Sequence, residues 1–240
     1  MALIEKLNAI GDAIRFRTGK TDKFTLEAMA AEIKAIPGGH GTEQYFEAQY
    51  AEVELPNATA IKSYAFYSDI TLKNIIMPKV TRIEKNAFQY CTYLALTELP
   101  AGITSIGTDA FYGCTNLALT ELPSEIIVLN NNTFRSCKNL ALTKLPNSLT
   151  RLSNYVFDGC TNLALTELPS SITYIGNYAF QNCTNLKTIT FKGKPSTIIS
   201  NAFSGCTNLI TINVPWAEGE VANAPWGATN ATINYNYTGE

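Results

Sequence analysis

The chain has 240 residues, of which 18 are basic and 20 acidic, and only 16% are charged, which leaves a formal net charge of −2. No Lys/Arg cluster is longer than a dipeptide, so the basic footprint required for binding nucleic acid is missing and that class of partner is excluded. Apolar stretches reach about four residues, far short of the ~20 that cross a bilayer, so no membrane span is predicted.

Residues 1–41 predict two short amphipathic helices followed by a flexible joint. The first helix has an apolar stripe at helical spacing, ends before Gly19, and is defined by Leu3, Leu7, Ile10 and Ile14. The second begins at Thr25 as N-cap and carries the stripe Leu26, Met29, Ile33 and Ile36, before Pro37-Gly38-Gly39. Helices of this size cannot form a core alone, so we expect them to dock on the rest of the chain, on another subunit or on a partner.

The same segment carries a short resemblance to a known family. It reads Leu3-Ile4-Glu5-Lys6-Leu7-Asn8-Ala9-Ile10-Gly11-Asp12-Ala13-Ile14-Arg15, then Thr18-Gly19-Lys20-Thr21-Asp22-Lys23. This amino-acid sequence resembles the N-terminal segment of phage and prophage tail proteins from Firmicutes. The resemblance implies attachment to a tail or baseplate protein, with the attachment residues Leu3, Leu7, Ile10, Ile14, Leu26, Met29 and Ile33.

Residues 42–214 repeat with a period of 23. Each unit is marked by a Phe and by a Cys three places later, at Phe88/Cys91, Phe111/Cys114, Phe134/Cys137, Phe157/Cys160, Phe180/Cys183 and Phe203/Cys206. A more degraded copy contains Phe66, so counting by the Phe predicts seven coils of 22 or 23 residues. A single unit cannot bury its own apolar edge, whereas stacked units form a continuous core. The period therefore predicts a mainly β solenoid, with segments such as Leu163–Leu168 paired in parallel from coil to coil.

Phe-x-x-Cys-x-x-Leu frames followed by Pro and Ile resemble the BspA-like leucine-rich repeat, over roughly residues 50–214. An example is Ala179-Phe180-Gln181-Asn182-Cys183-Thr184-Asn185-Leu186. Four copies depart from the pattern, because a Thr stands three places after the Leu where an apolar residue is usual. The resemblance implies binding and adhesion, without catalysis.

The six cysteines allow three interpretations: buried free thiols, disulfides between neighbouring coils, or a metal site. Metal ligands come as close pairs such as Cys-x-x-Cys, which are absent here, and the single histidine, His40, lies in a Gly-rich joint. Equal spacing places each thiol above the next in a repeated apolar slot. The spacing therefore favours buried free thiols, and no metal or other cofactor is expected.

Specificity is expected where the repeats differ from one another. One variable column is Arg82, Ser105, Val128, Arg151 and Tyr174, and a second is Asn86, Asp109, Asn132, Tyr155 and Tyr178. Arg and Tyr are common anchors of binding surfaces. We therefore take Arg82, Arg151, Tyr155, Tyr174 and Tyr178 as candidate ligand-binding residues, with neutral variation of exposed positions as the alternative.

After Val214 the repeat is predicted to stop, and residues 215–240 are predicted to cap the open end of the stack with a final strand. The alternating Ile233, Tyr235 and Tyr237 mark that strand. The two tryptophans, Trp216 and Trp226, have two interpretations, as core residues of the cap or as stacking platforms for carbohydrate.

No nucleophile–base pair, metal set or phosphate loop appears in the sequence, so an enzyme is not predicted. The function that the sequence favours is a non-catalytic, tail-associated protein that binds a bacterial surface protein or polysaccharide through the solenoid; it could form homo-oligomers. Charges in Met1–Lys6 interrupt any secretory signal, which predicts synthesis in the bacterial cytoplasm. The resemblance to tail proteins implies a final place in a phage particle. The alternative is a bacterial surface or secreted adhesin.

Overall fold

The computed structural model describes residues 52–239, together with the backbone of residues 15–17 and 23–24. Residues 52–239 form the predicted β-solenoid. Each coil places one large ring in the core, at Phe66, Phe88, Phe111, Phe134, Phe157, Phe180, Phe203 and Trp226. The described residues therefore contain eight coils, one more than the repeat count predicts, and the eighth lies in the segment expected to be a cap.

Regular structure in the described residues consists of short strands and turns, without a helix. In chain order the strands are β1 (Arg15–Arg17), β2 (Lys23–Phe24), β3 (Glu52–Glu54), β4 (Ala60–Ile61), β5 (Asn74–Ile76), β6 (Arg82–Ile83), β7 (Ser105–Ile106), β8 (Val128–Leu129), β9 (Arg151–Leu152), β10 (Glu167–Leu168), β11 (Tyr174–Ile175), β12 (Thr188–Phe191), β13 (Thr197–Ile198), β14 (Thr211–Asn213) and β15 (Thr232–Asn234).

The strands of successive coils pair in parallel, with a register that follows the repeat. On one side of the coil the sheets have the orders β2-β1-β3-β5 and β10-β12-β14-β15, and on the other side β4-β6-β7 and β13-β11-β9-β8. For example, Ile189 on β12 is the partner of Ile212 on β14, and Ile175 on β11 is the partner of Leu152 on β9. Equivalent residues of neighbouring coils therefore lie side by side.

The first of these sides is interrupted at residues 97–99, 120–122 and 143–145, which form no strand. The reason is the Leu-Ala-Leu-Thr-Glu-Leu segment, in which Lys144 replaces the Glu in one copy. In the first copy Leu94, Leu96 and Leu99 are buried while Thr97 and Glu98 are both exposed. Two consecutive outward residues break the alternation that a strand requires. Where the spacing is instead Ile189 and Phe191, a four-residue strand forms. The predicted pairing of Leu163–Leu168 is accordingly reduced to Glu167–Leu168.

The core is held from coil to coil by the Phe and Cys columns. Neighbouring Phe rings from Phe66 to Phe203 stack with centroids 5.0–5.9 Å apart. Each thiol donates to the carbonyl oxygen of the Phe in the preceding coil, as in Cys137 to Phe111 at 3.0 Å and Cys160 to Phe134 at 3.0 Å. All six cysteines are free and buried, which confirms the free-thiol interpretation over disulfides.

The N-terminal edge of the solenoid is covered by an antiparallel strand pair. Strand β1 pairs with β2 and with β3, the first strand of the coils, so that Phe16 is the register partner of Val53. Arg15–Arg17, expected at the end of the first helix, therefore form a strand, because their backbone completes the open edge of β3. The attachment residues Leu3, Leu7, Ile10, Ile14, Leu26, Met29 and Ile33 lie outside the described residues.

At the C-terminal end the coil register continues beyond Val214. Trp226 follows Phe203 by one repeat, and its carbonyl accepts the backbone N–H of Phe203 at 2.9 Å. The predicted final strand is β15, which pairs in parallel with β14 and carries Ile233. Trp216 and Trp226 are both buried, and their ring centroids are 6.4 Å apart. The tryptophans are therefore core residues and offer no face to a carbohydrate.

We expect the six thiols to resist alkylation in the native protein and to react together on unfolding. Burial raises the pKa of the thiols of Cys114, Cys137, Cys160, Cys183 and Cys206, for Cys206 to about 12. The thiolate is the reactive form, so the folded protein should label slowly at neutral pH. Mass spectrometry after iodoacetamide treatment in denaturant, without reductant, should find six carbamidomethyl groups. Fewer labels, restored to six by prior reduction, would show disulfides.

Deletion of residues 215–240 should cause aggregation. The deletion removes the eighth coil and exposes the edge of β14 together with the face of Phe203, both of which are covered in the full chain. Light scattering during thermal unfolding is the measurement. The control is Trp226→Phe, which installs the residue of the other coils and should stay soluble while losing the 2.7 Å hydrogen bond from Trp226 Nε1 to Ala222 O. A soluble, cooperative deletion variant would contradict the capping role.

Candidate binding surface

The predicted ligand-binding residues lie on two neighbouring parts of the coil. Arg82, Arg151 and Tyr174 occupy the first position of strands β6, β9 and β11, where the following residue is buried and they point outward. Tyr155 and Tyr178 lie in the turn that precedes the core Phe of their coils. The structure therefore places these five residues on the outside of the stack, in columns that run along its axis.

Arg151 and Tyr174 form a direct contact. They are register partners on the adjacent strands β9 and β11, and the guanidinium carbon of Arg151 lies 3.8 Å from the centroid of the Tyr174 ring. A cation over an exposed aromatic face is stabilised by about 0.5–1 kcal/mol. Arg82 is not part of this contact, because its strand β6 pairs with β4 and β7 in a different sheet.

Tyr155 and Tyr178 adopt a left-handed backbone conformation, with φ of 57° and 55°. Other coils hold Asn86, Asp109 and Asn132 at the equivalent position with nearly the same φ. Asn and Asp enter this region readily, whereas a bulky residue is an outlier there, at a cost on the order of 1 kcal/mol. The two tyrosine rings stack with centroids 5.1 Å apart, which offsets part of that cost.

Arg135 joins the tyrosines into one surface, although the sequence analysis missed it. Its guanidinium carbon lies 5.3 Å from the centroid of the Tyr112 ring and 5.0 Å from that of Tyr155, while its Nε donates to Asp158 Oδ2 at 2.9 Å. Asp158 is nearly buried, so it holds the guanidinium in one orientation. We call the surface formed by Tyr112, Arg135, Asp158, Tyr155 and Tyr178 the tyrosine ridge.

A sequence signal for Arg135 exists in the residue that directly follows each core Phe. That column reads Tyr67, Gln89, Tyr112, Arg135, Asp158, Gln181 and Ser204. It varies as much as the two columns singled out from the sequence. What the sequence does not show is that this column and the left-handed column lie close enough for Arg135 to contact Tyr155.

A separate cleft of about 690 Å³ lies where the first sheet is interrupted, between β5 and residues 95–102. Its lining includes Ile76, Leu96, Glu98 and Leu99, and none of the predicted ligand-binding residues. Ala95 N–H donates to Lys73 O at 2.9 Å, and this is the last main-chain hydrogen bond between the two neighbouring coils before the cleft begins. The cleft is thus a consequence of the broken ladder, and it brings no pair of acid–base groups together.

Residues 52–239 contain no group of three or more His, Cys, Asp or Glu side chains that could hold a metal ion. The described residues also lack a helix of sufficient length and hydropathy to span a bilayer.

The fold and the repeated frame define a class of protein, the leucine-rich-repeat β-solenoids. The sequence model of a protein family described as the BspA type leucine rich repeat region (6 copies) matches residues 59–164 and again residues 133–223. These matches cover well over half of the chain, and the protein therefore belongs to the BspA-type leucine-rich repeat family.

Several solved structures are similar to this chain. A leucine-rich repeat protein from T. pallidum shares 26% identity over 68% of this chain and 72% of its own, with a TM-score of 0.46. One from Bacteroides ovatus shares 21% identity over 77% of this chain and 61% of its own, with a TM-score of 0.48. A leucine-rich cell surface protein from Faecalibacterium prausnitzii shares 21% identity over 75% of this chain and 70% of its own, with a TM-score of 0.37. No curated protein matches the chain.

Proposed function

We propose that this protein is a non-catalytic binding protein that adheres to a bacterial surface through the tyrosine ridge and the adjacent Arg151–Tyr174 pair. Membership of the BspA-type repeat family supports this proposal, together with the binding and adhesion that the family resemblance implies. The target is a protein or a polysaccharide exposed on the bacterial cell.

The observation that carries the proposal is the presence of tyrosine at two strained turn positions. Tyr155 and Tyr178 stand where Asn86, Asp109 and Asn132 would satisfy the same backbone at lower cost. Strained residues of this kind persist at sites where the side chain itself is needed. Here the side chains are aromatic, partly exposed and adjacent to an arginine, which is the composition of binding anchors.

The ridge is also preorganised for binding. Arg135 is held by Asp158 and by two tyrosine rings, and Tyr178 Oη accepts a hydrogen bond from Asn201 Nδ2 at 3.4 Å. Side chains that are already ordered lose little conformational entropy when a partner docks. The ridge therefore has the properties of a rigid recognition surface rather than of a mobile loop.

The test replaces the two strained tyrosines by the residue that the same column uses in other coils. The variant Tyr155→Asn/Tyr178→Asn should lower binding to whole Firmicutes cells, and to wall polysaccharide purified from them, by at least tenfold, about 1.4 kcal/mol. Its melting temperature should stay within a few degrees of the parent, since relief of backbone strain offsets the lost ring stacking. Adding Arg151→Ala and Tyr174→Ala should deepen the loss.

The matched control is Tyr64→Asn, made at the equivalent turn of the first coil and outside the ridge. This variant should bind cells like the parent. Unchanged cell binding by the Tyr155→Asn/Tyr178→Asn variant would move recognition away from the ridge. Failure of the parent protein to bind any of the cells or wall preparations would contradict the adhesive function itself.

A second candidate function is attachment to a phage or prophage tail, with the solenoid as the target-facing part of the particle. The observation that favours this function is the amino-acid sequence of residues 3–15 and 18–23, which resembles the N-terminal segment of tail proteins from Firmicutes. The place of action is then the phage particle, and otherwise the bacterial cell surface. Both candidate functions assign target binding to the solenoid, and they differ only in the structure to which the N-terminus is attached.

Attachment is tested by changing the apolar stripe while leaving strands β1 and β2 intact. Deletion of residues 1–41 would also remove the strand that pairs with β3, so substitution is the cleaner experiment. The variant Leu3→Ser/Leu7→Ser/Ile10→Ser should retain cell binding but be absent from purified tail particles, as judged by immunoblotting. Particles that contain the variant at the parental level would refute tail attachment through these residues.

A further inference from the structure

The interrupted side of the coil leaves main-chain hydrogen-bonding groups of strand β5 open. Leu55 N–H donates to Ile76 O at 2.7 Å, so residue 76 directs its main-chain groups toward β3. Successive residues of a strand point their N–H and C=O groups to opposite sides, so Ile75 and the N–H of Met77 face the cleft. Within residues 52–239, no main-chain group of the next coil bonds to them. Strand β5 therefore has an unpaired edge.

The opposite wall of the cleft is unpaired as well. Thr97, Glu98 and Leu99 make no main-chain hydrogen bond to any residue within 52–239. The equivalent step between β10 and β12 is closed, for example by Thr190 N–H, which donates to Thr166 O at 2.9 Å. Main-chain groups without a partner in the fold bond to water or to a ligand. Both walls of the cleft are in this state.

The cleft is large enough for a ligand, and its inner wall is apolar. Its volume is about 690 Å³, within the range of roughly 300–1,000 Å³ that is usual for ligand sites. Leu96 and Leu99 line it and are nearly buried, while Ile76 points outward beside it and is 42% exposed. Pro78 and Pro100, which cannot donate to a ladder, stand where the two walls end.

Glu98 is the one ionisable side chain among the described residues that line the cleft. It belongs to an exposed column in which Glu121 pairs with Lys144 at 3.0 Å and Glu167 pairs with Lys192 at 3.2 Å. Among residues 52–239, Glu98 has no such partner. The cleft therefore carries an uncompensated negative charge, which favours a cationic group in the ligand.

These features define the chemistry of the ligand. A row of open N–H and C=O groups on a strand edge is complementary to another extended main chain, which adds one strand to the sheet. Sugar rings and flat aromatic molecules do not offer donors and acceptors at the spacing of a strand. Every second side chain of an added strand faces the apolar inner wall, because side chains alternate along it.

We propose that the cleft binds an extended peptide segment of a partner protein, which pairs with β5 and places a Lys or Arg beside Glu98. Ile75 and Met77 supply the main-chain hydrogen bonds, and alternate apolar side chains of the segment contact the inner wall. This site shares no residue with the tyrosine ridge. One chain can therefore hold a peptide and a bacterial surface at the same time.

A displayed library of random heptapeptides, panned against the immobilised full chain, identifies ligands, and fluorescein-labelled synthetic copies give affinities by fluorescence anisotropy. The enriched peptides should alternate apolar residues and carry a Lys or Arg. Methylation of one alternate set of amide nitrogens should lower the affinity of a selected peptide at least tenfold. Methylation of the other set should leave it unchanged, because only one set faces the edge of β5.

The variant Leu96→Thr/Thr97→Ile should close the cleft. It gives this segment the Thr-Ile spacing of residues 188–189, at which a strand forms, and so supplies β5 with a neighbour. Peptide affinity should fall at least tenfold, while the melting temperature should be no lower than that of the parent. The control Leu142→Thr/Thr143→Ile makes the same change two coils away and should bind peptide like the parent.

The charge is tested separately. Glu98→Gln should weaken the binding of a Lys-containing peptide about three- to fivefold at low salt, and molar salt should abolish that difference. Glu167→Gln, in the same column, should leave the affinity unchanged, because Glu167 is paired with Lys192 and lies outside the cleft.

Hydrogen exchange locates the bound peptide. The amide protons of Ile75 and Met77 should exchange readily in the free chain and become protected when a peptide binds. Protection already present in the free chain would overturn the proposal, since the edge would then be covered by the chain itself or by a second copy.

The proposal is equally overturned if panning enriches no peptide, or if the enriched peptides bind the Leu96→Thr/Thr97→Ile variant as tightly as the parent. The ridge variant Tyr155→Asn/Tyr178→Asn should bind peptide normally. Peptide binding and cell binding are thus measured on different variants, and a failure of either one is assigned to its own surface.

Discussion

The structure depends on the main-chain carbonyl of the core phenylalanine, which accepts two hydrogen bonds in each of the six coils from Phe66 to Phe180. In the coil of Phe111 that oxygen accepts the backbone N–H of Cys114 at 3.0 Å and the thiol of Cys137, from the next coil, at 3.0 Å. The first bond closes the turn within a coil and the second fixes the rise to the next. The carbonyl would keep the backbone N–H without the thiol, so the cysteine column adds a second, weaker hydrogen bond to its packing.

Because these two bonds recur from the coil of Phe66 to that of Phe180, the turn around them keeps nearly one backbone conformation along that part of the stack. The left-handed residues therefore fall at fixed positions, and each coil must either accommodate them with Asn, Asp, Ser or Gly or tolerate the strain. Tyr64, Tyr90, Tyr155 and Tyr178 are the bulky residues at these positions. Tyr155 and Tyr178 lie on the ridge, so the constraint that builds the core also marks a surface where aromatic side chains are retained.

The two ends of the stack are closed by different means. At the N-terminal end an antiparallel strand, β1, satisfies the edge of the first coil. At the C-terminal end an additional coil places Trp226 over Phe203 and brings β15 alongside β14. Between the ends, the interrupted side of the coil has few main-chain bonds between neighbours, such as Ala118 N–H to Leu96 O at 3.0 Å. The turn around the core Phe is bonded more densely, as in Phe111 N–H to Thr133 O at 2.9 Å and Gly113 N–H to Arg135 O at 2.8 Å. These turns, together with the Phe and Cys columns, therefore hold the middle coils together where the sheet is interrupted.

The sequence by itself determined the solenoid, the burial of the Phe and Cys columns and the outward position of Arg151, Tyr155, Tyr174 and Tyr178, because a strict repeat places equivalent residues in equivalent surroundings. Only the tertiary structure decided that Trp226 continues the Phe column. The amino-acid sequence between Phe203 and Trp226 departs from the repeat, whereas its backbone keeps the register of the coils. It also decided that Arg135 joins Tyr112 to Tyr155 and that Gly113 makes room for Tyr90. These contacts join different columns of neighbouring coils, and the distance between two columns depends on the path of the chain around the coil, which the period does not contain.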